Sequence, residues 1–205
     1  MIKELCNVLK DRLEFQGNLP FVDVYAGLVQ TVTYKDQDEN GNPITKKMPV
    51  SYHTNIDENC TTSPEKALTP DSTKKGILYF EENGGATQTK RLAGGFTIWT
   101  AQLILVGWFN RNLITGDAYS EITSIAHAEI MAKLKKEDLA SPFNKISVTD
   151  VRLRQEPSIF AKYTYDETVL QFLRPPFEYL AIDLSVRFIL KGHCLPALEL
   201  NPKNC

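Results

Sequence analysis

The sequence has no apolar run long enough to cross a membrane, no two cysteines at a C-x-x-C spacing and only three histidines. Each shortage removes a class of function. A spanning helix needs about 20 mostly apolar residues. The longest candidate, residues 96–109 within "GGFTIWTAQLILVGWFNRN", is shorter, and Gly94–Gly95 and Asn110–Arg111–Asn112 close its ends. Cys6, Cys60, Cys194 and Cys205 read as reduced thiols, with a bridge from Cys60 to Cys194 or Cys205 left open by the sequence. The opening "MIKELCNVLKDRLEF" is charged throughout and lacks the continuous apolar segment of a signal peptide. This points to an intracellular protein, or to part of a particle assembled inside a cell.

Catalytic signatures are missing as well. "HAE" at His127–Glu129 has the H-x-E form of zinc deaminases, but no P-C-x-x-C follows it, so His127 reads as an ordinary helix residue. His53, Cys60, His193 and Cys194 do not have the spacing of a zinc module. Gly84–Gly85 and Gly94–Gly95 match neither a P-loop nor a dinucleotide fingerprint, and there is no G-x-S-x-G elbow. Acidic pairs such as Asp57–Glu58, Glu81–Glu82 and Asp166–Glu167 read as solvated surface. The expectation is therefore no enzyme, no metal and no cofactor. A net charge of -2 also argues against a general nucleic-acid binder, while leaving a local basic patch open. Lys90 and Arg91 form one small basic tip on a glycine-flanked loop, which reads as solubilising before phosphate-binding.

What is present is a strong alternation of periods. Ile2, Leu5, Cys6, Leu9 and Leu13 lie at helical spacing, predicting an amphipathic helix over Ile2–Phe15. Residues 21–34 alternate with period two and predict a strand. "KDQDENGNP" is turn material around Asn40–Gly41, and "ITKKMPVSYHTN", residues 44–55, returns as a second strand, with Pro49 marking an edge or bulge. Residues 55–75 read as a long surface loop. "GILYFEE" reads as a short strand, "NGGATQTKRLAGG" as a flexible connection, and residues 96–109 as an interior strand rich in β-branched and aromatic side chains. Both faces of that strand are apolar, so both need a cover. A helix of the same chain supplies one; a second sheet or a neighbouring subunit are the readings for the other.

Residues 117–136 predict the clearest helix, with a stripe of Tyr119, Ile122, Ala126, Ile130 and Leu134 and with Asp117 as N-cap. A strand follows over 144–156. Residues 157–177 read as an irregular loop or short strand that crosses the sheet. The last strand alternates Leu180, Ile182, Leu184, Val186, Phe188 and Leu190 against Tyr179, Ala181, Asp183, Ser185 and Arg187. The fold class is α+β: an antiparallel or mixed sheet, two main helices on one face, and projecting hairpins and loops. One domain is expected over residues 1–192, with 193–205 a loosely held tail.

This element order is similar to that of the tail-terminator and tail-completion proteins of long-tailed bacteriophages. The likeness rests on the leading helix before a long hairpin, on "WTAQLILVGWFNRNLITGDAYSEITSIAHAEIMAKL", and on "YTYDETVLQFLRPPFEYLAIDLSVRFIL". The resemblance implies a structural protein of the particle's neck that forms a homo-oligomeric ring, a hexamer in the implied case. The ring docks on the tail tube or connector, and DNA passes through its lumen without sequence-specific binding. It implies a place in the virion, or in the host cytoplasm during assembly. Tyr163, Tyr165, Phe172, Arg174 and Phe177, with Lys90 and Arg91, are the expected interaction residues, because aromatics in exposed chain commonly anchor interfaces. An adaptor domain of a bacterial mobile element, or a small enzyme with an unrecognised site, are the alternatives.

Overall fold

The structure is a computed structural model and describes residues 1–15, 19–37, 41–52, 68–114, 121–136 and 143–191. Helix α1 (Ile2–Phe15) precedes a hairpin of β1 (Val24–Gln37) and β2 (Pro43–Ser51). A second hairpin pairs β3 (Gly76–Arg91) with β4 (Phe96–Asn110). Helix α2 (Ile122–Leu134), β5 (Phe143–Arg154), the short helix α3 (Glu167–Leu170) and β6 (Phe177–Lys191) complete the chain. The class is α+β. The six strands form one sheet in the order β2-β1-β3-β4-β6-β5.

The sheet is mixed because β3 lies on the side of β1 away from β2 and runs parallel to β1, Val24 opposite Ile77. Every other pairing is antiparallel. Between the end of β2 at Ser51 and the start of β3 at Gly76 the chain therefore changes from one side of β1 to the other. Of the long loop read from the sequence, residues 53–67 lie outside the described residues, as do the Asp117 cap, Asn40, and the tail 193–205.

β4 is the interior strand that its composition predicts, paired to β3 on one edge and to β6 on the other. Its alternate residues enter two separate cores. Leu103 and Leu105 join Leu180, Ile182 and Leu184 of β6, Leu5, Leu9 and Leu13 of α1, and Ile122, Ala126 and Ile130 of α2 in the larger core. Val106 and Trp108 enter a second core with Ile77 and Tyr79 of β3 and Ile159, Phe160, Tyr163, Tyr165 and Val169. The face carrying Leu103 and Leu184 is the first face below, and the face carrying Val106 and Trp108 the second.

Three expectations need correction. Neither a second sheet nor a neighbouring subunit is needed to cover β4 at Val106 and Trp108: residues 157–173 of the same chain do so. They form short helical turns, Pro157–Phe160, α3 and Gln171–Leu173, rather than a strand or irregular loop. Turns this short have no amphipathic period to read. The connection 83–95 is mostly strand. Gly84 and Gly85, at φ +95° and +80°, sit in a bulge between the pairs Glu82–Leu103 and Ala86–Ala101, after which the ladder resumes. The glycines accommodate an irregularity and do not end the strand.

The buried face of α1 also holds a charge. Arg12 is 3 % exposed, and its guanidinium donates to the Leu134 carbonyl at 3.0 Å, one of the orphan carbonyls that close α2. A cation there both satisfies a helix end and ties the two helices together. Arg12→Met keeps the apolar stem and removes the donor. Denaturant unfolding of that variant is expected to show a loss of about 1.5–3 kcal/mol.

Candidate functional site

The densest polar constellation lies where residues 157–173 meet the second face. Ile77, Tyr79 and Glu81 are at positions i, i+2 and i+4 of β3, so a carboxylate occupies a place in an apolar stripe. Glu81 is 6 % exposed. It accepts hydrogen bonds from the Lys162 ammonium and the Tyr163 hydroxyl, both reaching down from the crossing segment. Tyr163 and Tyr165 stack at a tilt, with ring centroids 5.8 Å apart. The Tyr79 hydroxyl interacts with Tyr163 but not in hydrogen-bond geometry, and the Tyr165 hydroxyl is likewise buried without a partner.

Burial and the nearby Glu81 charge push all three phenols, Tyr79, Tyr163 and Tyr165, above the ordinary tyrosine value. All three therefore stay neutral, and Tyr163 is the one that donates to Glu81. The arrangement is a latch: one carboxylate holds the crossing segment to the sheet through a cation and a phenol. The sign of its pH dependence follows from the raised phenol values. Stability from each is intact below about pH 10, where unfolded tyrosine ionises, and is lost above it at about 1.4 kcal/mol per pH unit for each phenol. We expect steep alkaline unfolding beginning above about pH 10, with tyrosinate absorbance of these residues appearing together with loss of circular dichroism. Ionisation well before unfolding would contradict the burial.

A second anchor sits beside the latch. The Trp108 indole N–H donates to the Phe172 carbonyl at 2.7 Å, and its ring stacks on Phe177 at 5.5 Å. Asp166 caps α3 by accepting from Val169 N at 3.1 Å.

The seven expected interaction residues thus separate. Tyr163 and Tyr165 are core residues at 7 % and 8 % exposure, not exposed anchors, because the crossing segment folds inward onto the sheet. Phe172 and Phe177 are half-buried around Trp108. Arg174, Lys90 and Arg91 are exposed. Lys90 and Arg91 are not one tip: on a strand they point to opposite faces, Lys90 with Ile98 and Arg91 with Thr97. Glu81, read from the sequence with Glu82 as solvated surface, is instead buried at 6 % exposure because its place in the Ile77–Tyr79–Glu81 stripe turns it under the crossing segment; Lys162 and Trp108 were not singled out as site residues.

Compared with protein-family models, curated proteins and solved structures, the chain matches none.

The residue with most enzyme-like context, His127, lies on α2 with its Nε2 3.4 Å from the Asp150 carboxylate, within ion-pair distance though not in hydrogen-bond geometry. Lys135 also reaches Asp150, at 3.3 Å, and its hydrogen bond holds that carboxyl below the usual range. Among the described residues no group of three or more His, Cys, Asp and Glu is placed to hold a metal. Cys6 is buried, and desolvation pushes its thiol up, away from the reactive thiolate. No helix among the described residues is long and apolar enough to cross a membrane.

Proposed function

We propose that this chain is a structural protein of a phage or phage-like particle: a ring-forming tail-terminator or head–tail joining component. The observation that carries the reading is that the two end strands of the sheet differ from each other. Among the described residues β5 carries no further strand, whereas at β2 the Lys47 carbonyl accepts from the Thr164 N–H at 2.8 Å, so the crossing segment covers part of that edge. β5 presents Val151 and Leu153 at 64 % and 38 % exposure, and Tyr52, 48 % exposed, directly follows β2. Two unlike patches on one chain suit a head-to-tail contact, and repetition of such a contact closes rings.

A bulge between Asp150 and Arg152 interrupts the β5 ladder at Val151. Bulged edges resist strand addition, so the contact in this reading is made by side chains. The helices cover one face of every protomer, the crossing segment closes part of the other, and the hairpin ends extend contacts around the ring. The implied setting is the virion, with the host cytoplasm as the site of assembly and a tail tube or connector as the docking partner.

The test is sedimentation over a range of concentrations for the parent chain, Val151→Lys and Arg174→Glu. The parent is expected to self-associate. Val151→Lys is expected to weaken association at least about tenfold, equivalent to about 1.4 kcal/mol, with unchanged thermal stability. Arg174→Glu is expected to leave folding intact and impair docking on tail tubes. Association unaffected by Val151→Lys would remove the β5 edge from the interface.

A further inference from the structure

The crossing segment covers only part of the second face. Beyond Ile104 the same face continues across β3, β4, β6 and β5, and the register shows which side chains share it. Lys191 lies opposite Phe96, Arg187 opposite Thr100, and Ser185 opposite Gln102. On β5, Lys145 faces Ile189, Ser147 faces Arg187, Thr149 faces Ser185, and Arg152 faces Asp183. On β3, Lys90 faces Ile98 and Thr87 faces Thr100. The hydrogen bond from Gln102 to Ser185, at 3.4 Å, and the seating of Lys191 over the Phe96 ring at 5.8 Å are cross-strand contacts on this face.

The face is basic in a chain of net charge -2. Lys90, Lys145, Arg152, Arg154, Arg187 and Lys191 stand on it by register. The strand carboxylates of this face are Asp183 and Glu81. Arg154 pairs with Asp183 at 2.7 Å, and Lys162 of the crossing segment pairs with Glu81. Like charges so gathered repel one another, and a polyanion would relieve that repulsion. Lys90, Lys145, Arg152 and Arg187 are all exposed.

We propose that this face binds the sugar–phosphate backbone of duplex nucleic acid without reading its sequence. Three features favour a phosphate backbone over an acidic protein. Apart from Ile98, which is buried, and Ile189, which is half-buried, the side chains between the cations are neutral hydrogen-bonding groups, Thr87, Thr100, Gln102, Ser185, Ser147 and Thr149, which suit phosphate oxygens. The aromatic ring on it, Phe96, lies beneath Lys191, so there is no bare stacking platform for single-stranded bases. A protein interface of this size normally centres on a buried aromatic or apolar anchor, and the middle of this face is Thr100, Gln102, Ser185 and Arg187. Four strands about 4.8 Å apart make a surface about 14 Å wide, enough for several phosphate contacts. The inference stands whether or not the chain forms a ring.

The test is binding of a short labelled duplex, followed by fluorescence anisotropy at several salt concentrations, with polyglutamate as competitor. Four or so phosphate contacts predict a slope of about -4 for log affinity against log salt. Arg152→Glu/Arg187→Glu is expected to lose at least about tenfold in affinity and about two units of slope. Lys3→Glu/Lys136→Glu, an equal charge change away from this face, is expected to bind nearly as the parent does. Thermal melting of both variants confirms that they fold. No duplex binding at low salt, or equal losses in the two variants, would overturn the proposal. Polyglutamate binding as tightly as the duplex would overturn it in favour of an acidic protein partner.

Discussion

Trp108→Ala is expected to lower the melting temperature by about 6–20 °C. Trp108 is 1 % exposed at the centre of the sheet, and the indole is the point where the crossing segment is both stacked and hydrogen-bonded. Truncating a buried tryptophan costs about 3–5 kcal/mol in lost burial and residual cavity. The Phe172 carbonyl would also lose its donor, adding to the cost. Against a total stability of about 5–15 kcal/mol, that is a large fraction. At about 2–4 °C per kcal/mol for a domain of this length, the stated shift follows. Trp108→Phe keeps the stack with Phe177 and loses only part of the volume and the hydrogen bond, so about 1–2 kcal/mol is expected. Limited proteolysis adds a local readout: cleavage within 157–173 should accelerate in Trp108→Ala more than cleavage elsewhere. A Trp108→Ala protein that melts with the parent would show that the crossing segment does not cover β4.

The second large effect is expected at Glu81. Glu81→Ala removes the acceptor for Tyr163 and leaves three buried phenols around an empty position. Lys162 is 43 % exposed and can return to water, so its loss adds little. The expected cost is about 2–4 kcal/mol, most of it from the unpaired Tyr163 hydroxyl and the cavity. The double variant Glu81→Met/Tyr163→Phe removes acceptor and donor together, and apolar replacement of a buried polar pair is often near neutral. It is therefore expected to be more stable than Glu81→Ala, with Tyr163→Phe less costly in the Glu81→Met background than in the parent. Such non-additivity identifies direct coupling between the two residues. Additive losses would mean that Glu81 and Tyr163 contribute separately and that no latch exists.

These two sites mark the border of what was legible. Long elements with one period were readable: the helix Ile2–Phe15 buries Leu5, Cys6, Leu9 and Leu13, and β6 turns Leu180 through Leu190 to the first face at every second position. The buried stripe Ile122, Ala126, Ile130 and Leu134 of α2 was readable for the same reason. Arg12 was not, because a cation on an apolar face becomes intelligible only when the end of α2 is beside it. The crossing segment was misread because aromatics in a chain without periodicity suit an exposed anchor and an inward-folded cover equally well. Only the neighbouring β3 and β4 decide between these. Lys90 and Arg91 looked like one basic tip while Gly84–Gly85 suggested a loop; once β3 continues through the bulge, strand alternation separates them. The basic face was invisible for a related reason. Its charges come from β3, β5 and β6, more than fifty residues apart in places, and only the register gathers them.

The central claim is that copies of this chain join edge to edge into a closed ring. Electron microscopy of the purified protein, alone and mixed with phage tail tubes, tests it most directly. The account predicts rings of one fixed copy number, seated on tube ends when tubes are present. Particles of single-chain size in both samples, at concentrations where the protein is folded, would contradict it.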